Sequence, residues 1–220
     1  MIRWSHKFRK YTCIIGLVLA IGIALLMGPA ATSLQMRSRW ADQKESVDVV
    51  YLVCGARAQQ RRLQAMHVWL HVHEPSNVRI WIGNDTQNSF WSRDHQRNLT
   101  RAEWAELFAR KHFEQHDISI VPGAFANTDA EMAALAKALE QAPEIQTIAM
   151  VTCGFHARRA LQRFTTHAPD SITAKIIPPV RHWENRAPWI VAAEWLKMMR
   201  DRVNLTHHRW LSRQPQETNQ

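Results

Sequence analysis

From Asp48 to Cys54 the chain reads DVVYLVC, an apolar, β-branched run stopped by Gly55. A strand without polar alternation is buried on both faces, which points to a parallel strand covered by helices on each side. The same unit recurs along the chain. Val78–Ile82 ends at Gly83, Ile118–Val121 at Pro122-Gly123, Thr147–Thr152 at Cys153-Gly154, and Thr173–Ile177 at Pro178-Pro179. Helical patterns lie between them: Ala58–His71 with Leu63, Met66 and Leu70 on one side, Thr100 to about His112, Thr128 to just before Pro143, and Phe155–His167. An amphipathic helix from about Pro188 to Val203 follows. Thr100 and Thr128 read as N-caps, with Glu103 and Glu131 three residues on in capping-box spacing. This alternation predicts an α/β, Rossmann-like, doubly wound five-stranded parallel sheet, order 3-2-1-4-5. The polar stretch Asn84–Asn98, carrying Phe90 and Trp91, is too long for a routine connection and reads as a lid or binding loop. No internal repeat and no second domain is visible.

The N-terminus departs from this pattern. Arg3, His6, Lys7, Arg9 and Lys10 precede an uncharged apolar run from Tyr11 to Ala31. That run matches the length of about 20 residues that a bilayer-crossing helix needs. Flanking charge favours a cytoplasmic N-terminus, with Arg37 and Arg39 pulling the other way. A cleaved signal peptide is the rival reading, because Gly28-Pro29-Ala30 offers small residues to a peptidase. Its apolar core spans only about 7–15 residues, however, so an uncleaved signal anchor is favoured. Either way the globular part faces outside the cytoplasm. The expected organisation is residues 1–31 as basic segment and transmembrane anchor, 32–46 as linker, 47–203 as the α/β domain and 204–220 as a polar tail.

A chain of 220 residues, 46% of them hydrophobic, buries one good core. Its net charge of +9 with ten tryptophans suggests contact with something anionic: phosphates, a membrane surface or nucleic acid. No RNA-binding signature, zinc-finger spacing or basic low-complexity tail supports nucleic acid, so none is expected as a partner. Of three cysteines, Cys13 lies in the apolar run. Cys54 and Cys153 each end a strand, and are either a disulfide pair or two small buried residues lining a pocket.

In the predicted order, strands one and four are neighbours at the topological switch point. That sets Cys54-Gly55 beside Cys153-Gly154 at the mouth of a crevice where ligands bind in open α/β sheets. Four segments meet there: Cys54-Gly55-Ala56-Arg57 with Arg61 and Arg62 just beyond, Gly83-Asn84, the stretch Ala126–Glu131, and TCGFHARRA from Thr152 to Ala160. The last turns a strand into a helix whose first turns hold His156, Arg158 and Arg159. A helix start with cationic side chains favours anions.

These segments resemble the SanA/ElyC/YdcF family over about residues 47 to 203. The similarity rests on the hydrophobic first strand ending in a small turn, the Asn127-Thr128 helix cap with a nearby acid, and above all VTCGFHARRA. The chain departs from the usual pattern at Cys54, at Ile82-Gly83-Asn84, and at Thr128-Asp129-Ala130-Glu131, where the acid comes one residue later. The resemblance implies a Rossmann-like sheet behind a single N-terminal membrane helix. It also implies a periplasmic domain on the bacterial inner membrane and a role in envelope biogenesis, with no settled reaction.

The residue types suit a phosphate-bearing or lipid-linked anionic ligand. Arg57, Arg61 and Arg158 are candidate phosphate clamps. Gly55, Gly83, Asn84, Thr152 and Cys153 form the expected rim, with Asn127 and Thr128 adding donors. His156 is a candidate catalytic acid or a phosphate ligand. Glu131 either orients a water or serves as the capping-box carboxylate. There is no G-x-G-x-x-G, P-loop, G-x-S-x-G elbow or H-E-x-x-H, and no cofactor is indicated. His67 and His71, spaced i, i+4, have no acidic partner nearby in sequence, so no metal site is expected. Trp40, Trp183, Trp189 and Trp195 read as core or interface aromatics. Two function classes follow: an enzyme acting on a phosphorylated envelope precursor, or a membrane-tethered binding or regulatory module.

Overall fold

The computed structural model describes residues 46–55, 59–73, 77–123, 125, 127–177, 193–201 and 203, together with Tyr11, Ile15 and Gly16. Two compact units are present, Gln35–Asn185 and Met1–Leu34 with Arg186–Gln220. In the first the order is β1 (Val49–Leu52), α1 (Gln59–His73), β2 (Arg79–Gly83), β3 (Asn88–Ser92), β4 (Arg97–Thr100), α2 (Arg101–His112), β5 (Ile118–Val121), α3 (Thr128–Glu140), β6 (Thr147–Val151), α4 (Gly154–His167) and β7 (Thr173–Ile177). In the second, residues 193–201 are helical, and Lys197 bonds Glu194 at 2.8 Å.

The main sheet has five parallel strands in the order β5-β2-β1-β6-β7, which is the expected 3-2-1-4-5. Side chains alternate faces along β1. Val50 and Leu52 pack with Leu63, Met66 and Leu70 of α1 and with Ala102, Ala105 and Ala109 of α2. Val49 and Tyr51 pack on the other face with Met132, Leu135 and Leu139 of α3 and with Ala157, Leu161 and Phe164 of α4. Both faces are covered, which is why β1 shows no polar alternation in sequence. The Asp48 carboxylate accepts the amides of Gln146 and Thr147, each at 2.8 Å, and so pins the entry of β6 to that of β1.

The stretch Asn84–Asn98, expected to be a lid or binding loop, runs into an antiparallel hairpin. β3 and β4 pair antiparallel, with a register shift between Asn88 and Phe90. The intervening turn holds Gln96 at φ 51°, and the His95 amide donates to Ser92 Oγ at 3.3 Å. Trp91 and residues 93–98 are exposed, so no apolar alternation marked these strands in the sequence.

Thr100 caps α2 as expected. Its hydroxyl accepts the Glu103 amide at 3.1 Å, and its own amide donates to Glu103 Oε2 at 2.7 Å. Arg97 holds the same carboxylate in a two-pronged pair, and with the Thr100 amide keeps Glu103 down at about 2. The stability this adds is present above the ordinary carboxylate range and fades as pH falls toward that value. Thr100→Ala is expected to cost about 1 kcal/mol, read as a lower urea midpoint at neutral pH; an unchanged midpoint would mean the cap adds nothing.

α3 is capped one residue earlier than the spacing suggested. Asn127, in extended conformation, accepts the Ala130 amide at 3.0 Å, and Thr128 is the first helical residue. An amide side chain at the cap reaches the third helical amide directly. Glu131 is therefore not a box carboxylate, and its side chain turns into the protein.

Among the described residues no helix is long and apolar enough to cross a membrane. The run Tyr11–Ala31 lies outside the described residues apart from Tyr11, Ile15 and Gly16, which are helical.

Candidate functional site

The carboxyl ends of β1, β2, β5 and β6 bring four segments together. β1 sits between β2 and β6, the point at which the winding reverses, and pairing Leu52 with Val151 sets Cys54 level with Cys153. Neither cysteine is in a disulfide, and both are half-buried.

Glu131 is 2% exposed and is the hub of the site. Its Oε1 accepts the Tyr51 hydroxyl at 3.0 Å and the Cys54 amide at 2.6 Å. The Cys54 thiol is a further hydrogen-bond partner. Burial outweighs these contacts and raises the carboxyl above the usual glutamate range. Burial also pushes the Cys54 thiol and the Tyr51 phenol up, with Glu131 adding to both.

Gly83 makes this knot possible. A methyl group on it would lie 2.5 Å from Cys54 Sγ, 2.8 Å from the Tyr51 hydroxyl and 3.0 Å from Glu131 Oε1. Gly55 is needed for a different reason. Its φ of 149° suits only glycine, and its carbonyl accepts one Nη of Arg62 while the Val53 carbonyl accepts the other. Arg62 is 4% exposed, and its Nε has no hydrogen-bond partner among the described residues. The same holds for Thr152 Oγ1, 2% exposed.

The Gly55 amide donates to Asp85 Oδ2 at 3.2 Å, and Arg101 pairs with that oxygen at 3.3 Å. The first two α2 amides are occupied as well: Arg101 donates to the Gln87 carbonyl and Ala102 to that of Asp85. Two successive β1-turn amides, Cys54 and Gly55, are thus already bonded to the carboxylates of Glu131 and Asp85. α3 and α4 differ. Their third and fourth amides return to the cap residues Asn127 and Cys153, while the opening amides of a helix have no intrahelical acceptor. No side chain caps α4.

A cleft of about 160 Å³ opens here, lined by Cys54, Gly55, Asp85, Gln87, Arg101, Phe125, Asn127, Thr128 and Glu131. Of the residues expected at the site, Gly55, Asn127, Thr128 and Glu131 line it. Gly83 supports it from beneath. Asn84 donates through Nδ2 to the Gly123 carbonyl at 2.6 Å, tying the end of β2 to the turn after β5. Thr152 and Cys153 lie at the β6–α4 junction. Among the described residues the lining includes neither His156 nor Arg158, and His156 Nδ1 meets Arg159 Nη2 at 3.1 Å. Arg57 lies outside the described residues, as does the side chain of Arg61.

Sequence reasoning did not single out Tyr51, Asp85, Gln87, Arg101 or Phe125, and it assigned Arg62 no role. Asp85 and Arg101 had a weak signal, one just past a strand end and the other just inside a capped helix. Tyr51 looked like one more apolar strand residue. His67 stacks on His71 at 6.3 Å and meets His112 edge-on at 5.6 Å. Among the described residues, no group of histidine, cysteine or carboxylate side chains is placed to hold a metal ion.

No family model, no curated protein and no solved structure matches the chain.

Proposed function

We propose that this is a membrane-anchored protein of cell-envelope biogenesis whose cleft takes a phosphate-bearing ligand, a lipid-linked or phosphorylated cell-wall or polysaccharide precursor. One observation carries the reading: the helix start of α3 and the Arg101 side chain face one cleft at the sheet's switch point. Opening amides and a guanidinium are the groups that bind phosphate oxygens. The +9 charge and the apolar run Tyr11–Ala31, read as an inner-membrane anchor with the domain in the periplasm, are consistent with an anionic, lipid-linked partner. The resemblance to the SanA/ElyC/YdcF family points the same way.

A second reading, a binding or regulatory module without turnover, is favoured by the His156–Arg159 contact. It leaves Glu131 and Asp85 as the acidic groups on the described lining, and Asp85 is already paired with Arg101.

The purified full-length protein is to be screened by thermal shift against undecaprenyl-phosphate-type lipids, nucleotide sugars and inorganic pyrophosphate. A true ligand at a hundred times its Kd adds about 2.7 kcal/mol, hence a rise of roughly 5–10 °C. Arg101→Ala is expected to weaken that ligand about 10- to 100-fold, through loss of a charge-assisted contact. Absence of any shift across the panel, or full affinity in Arg101→Ala, overturns the reading. Turnover of the ligand found would separate enzyme from binding module.

A further inference from the structure

We propose that a water held between Arg62 and Asp85 is the nucleophile in hydrolysis of a phosphate ester or anhydride, with Asp85 as its base. The inference rests on the phosphate reading and names the reaction at that cleft. It begins with Arg62, 4% exposed, whose two Nη groups are spent on the Val53 and Gly55 carbonyls and whose Nε has no partner among the described residues. A buried donor without a protein acceptor is satisfied by ordered water where the site is polar and roomy enough.

Such a site adjoins it. Arg62 lines a cavity of about 10 Å³, the size of a single-water site, together with Asp85 after β2 and Arg101 of α2. Cys54, Gly55, Asp85 and Arg101 line both this cavity and the larger cleft, so a water here sits beside whatever the cleft holds. Asp85 has the capacity to take it. Its carboxylate accepts the Gly55 amide at 3.2 Å, Arg101 at 3.3 Å and the Gln87 amide at 3.2 Å, and a carboxylate offers about four lone-pair sites. A water that accepts one bond from Nε and donates one to Asp85 keeps a lone pair for a phosphorus atom.

Arg101 is set at the same edge by its Nη1, which bonds Asp85 and, at 2.6 Å, Gln87 Oε1. A guanidinium there holds phosphoryl oxygens. Glu131 does not compete as base: it lines the cleft but not the cavity, and its Oε1 is taken by the Tyr51 hydroxyl and the Cys54 amide.

The step is balanced. The water oxygen bonds to phosphorus as the bond from phosphorus to the leaving oxygen breaks, and Asp85 takes the proton released. The leaving oxygen departs with the electron pair and is protonated by solvent, to which Asp85 then returns its own proton.

The test uses the full-length protein with inorganic phosphate for binding, and with inorganic pyrophosphate and p-nitrophenyl phosphate for turnover. Wild type is expected to bind phosphate and cleave at least one of the two esters or anhydrides. Asp85→Asn keeps an acceptor for the Gly55 amide, so it should bind phosphate at least as tightly while losing about 100-fold or more in kcat. A crystal structure resolving ordered water should show one within about 3.2 Å of Arg62 Nε, which settles the matter if the variant does not fold. Phosphate bound but neither probe cleaved, full kcat in Asp85→Asn, or Nε found on a protein acceptor overturns this proposal alone. No binding of phosphate or pyrophosphate overturns the phosphate reading and this step with it.

Discussion

Glu131→Ala is expected to lower stability by about 3–5 kcal/mol, because it strips the acceptor from one buried and one partly buried donor and leaves a hole at the end of β1. The Tyr51 hydroxyl and the Cys54 amide both depend on Oε1, and Tyr51 is fully buried. Glu131→Gln keeps a carbonyl oxygen in the same place and should cost far less. The pH dependence separates a carboxyl from a mere spacer. Folding raises this group's proton affinity, so above the ordinary glutamate range the folded state holds a proton that the unfolded chain has released. Stability from this group is full at low pH and declines as pH climbs through the raised folded value. Glutamine has no proton to lose, so Glu131→Gln should gain on the wild type as pH rises. Urea midpoints of the three proteins at pH 5 and pH 8 measure this. Equal losses in the alanine and glutamine variants, or a glutamine variant that loses ground with rising pH, would show that the carboxyl is not the buried acceptor described.

Gly83→Ala is the second large effect. Its methyl group would press on Cys54 Sγ, the Tyr51 hydroxyl and Glu131 Oε1 together. None of these is the loose end of a mobile chain: Tyr51 is fully buried and Glu131 nearly so. Overpacking of this kind costs about 3 kcal/mol. Adding Cys54→Ala removes the closest contact and should recover part of the loss, a non-additivity that a double-mutant cycle by chemical denaturation reads directly. Full stability in Gly83→Ala would mean that the three side chains move apart freely. The same glycine looked like a ligand-approach residue in sequence, a role that also asks for a small side chain.

Most of the sheet was legible because its determinants are local. The apolar runs 118–121 and 173–177 are strands with the expected bounds, and the capping box of Thr100 and Glu103 formed as spaced. The hairpin was not legible, since Trp91 and residues 93–98 are exposed and β4 buries only Leu99. The candidate site was legible as a place more than as a set of residues. Topology placed Cys54-Gly55 beside Cys153-Gly154, yet the charges that meet there come from turns and helices far apart in sequence.

The amino-acid order by itself determined the five strands of the main sheet, the helices that cover them and the strand order, because periodicity, caps and the handedness of crossovers act over neighbouring residues. Only the tertiary structure decided what Glu131 and Arg62 are. In sequence the acid three residues after a threonine reads as a capping-box or water-orienting carboxylate, and Arg62 as a neighbour of the crevice without a role of its own. Glu131 meets a tyrosine 80 positions away, and Arg62 meets the backbone of the β1 turn. Burial changes the proton affinity and partners of a charged group far more than its sequence neighbours do, and burial is a property of the packed chain.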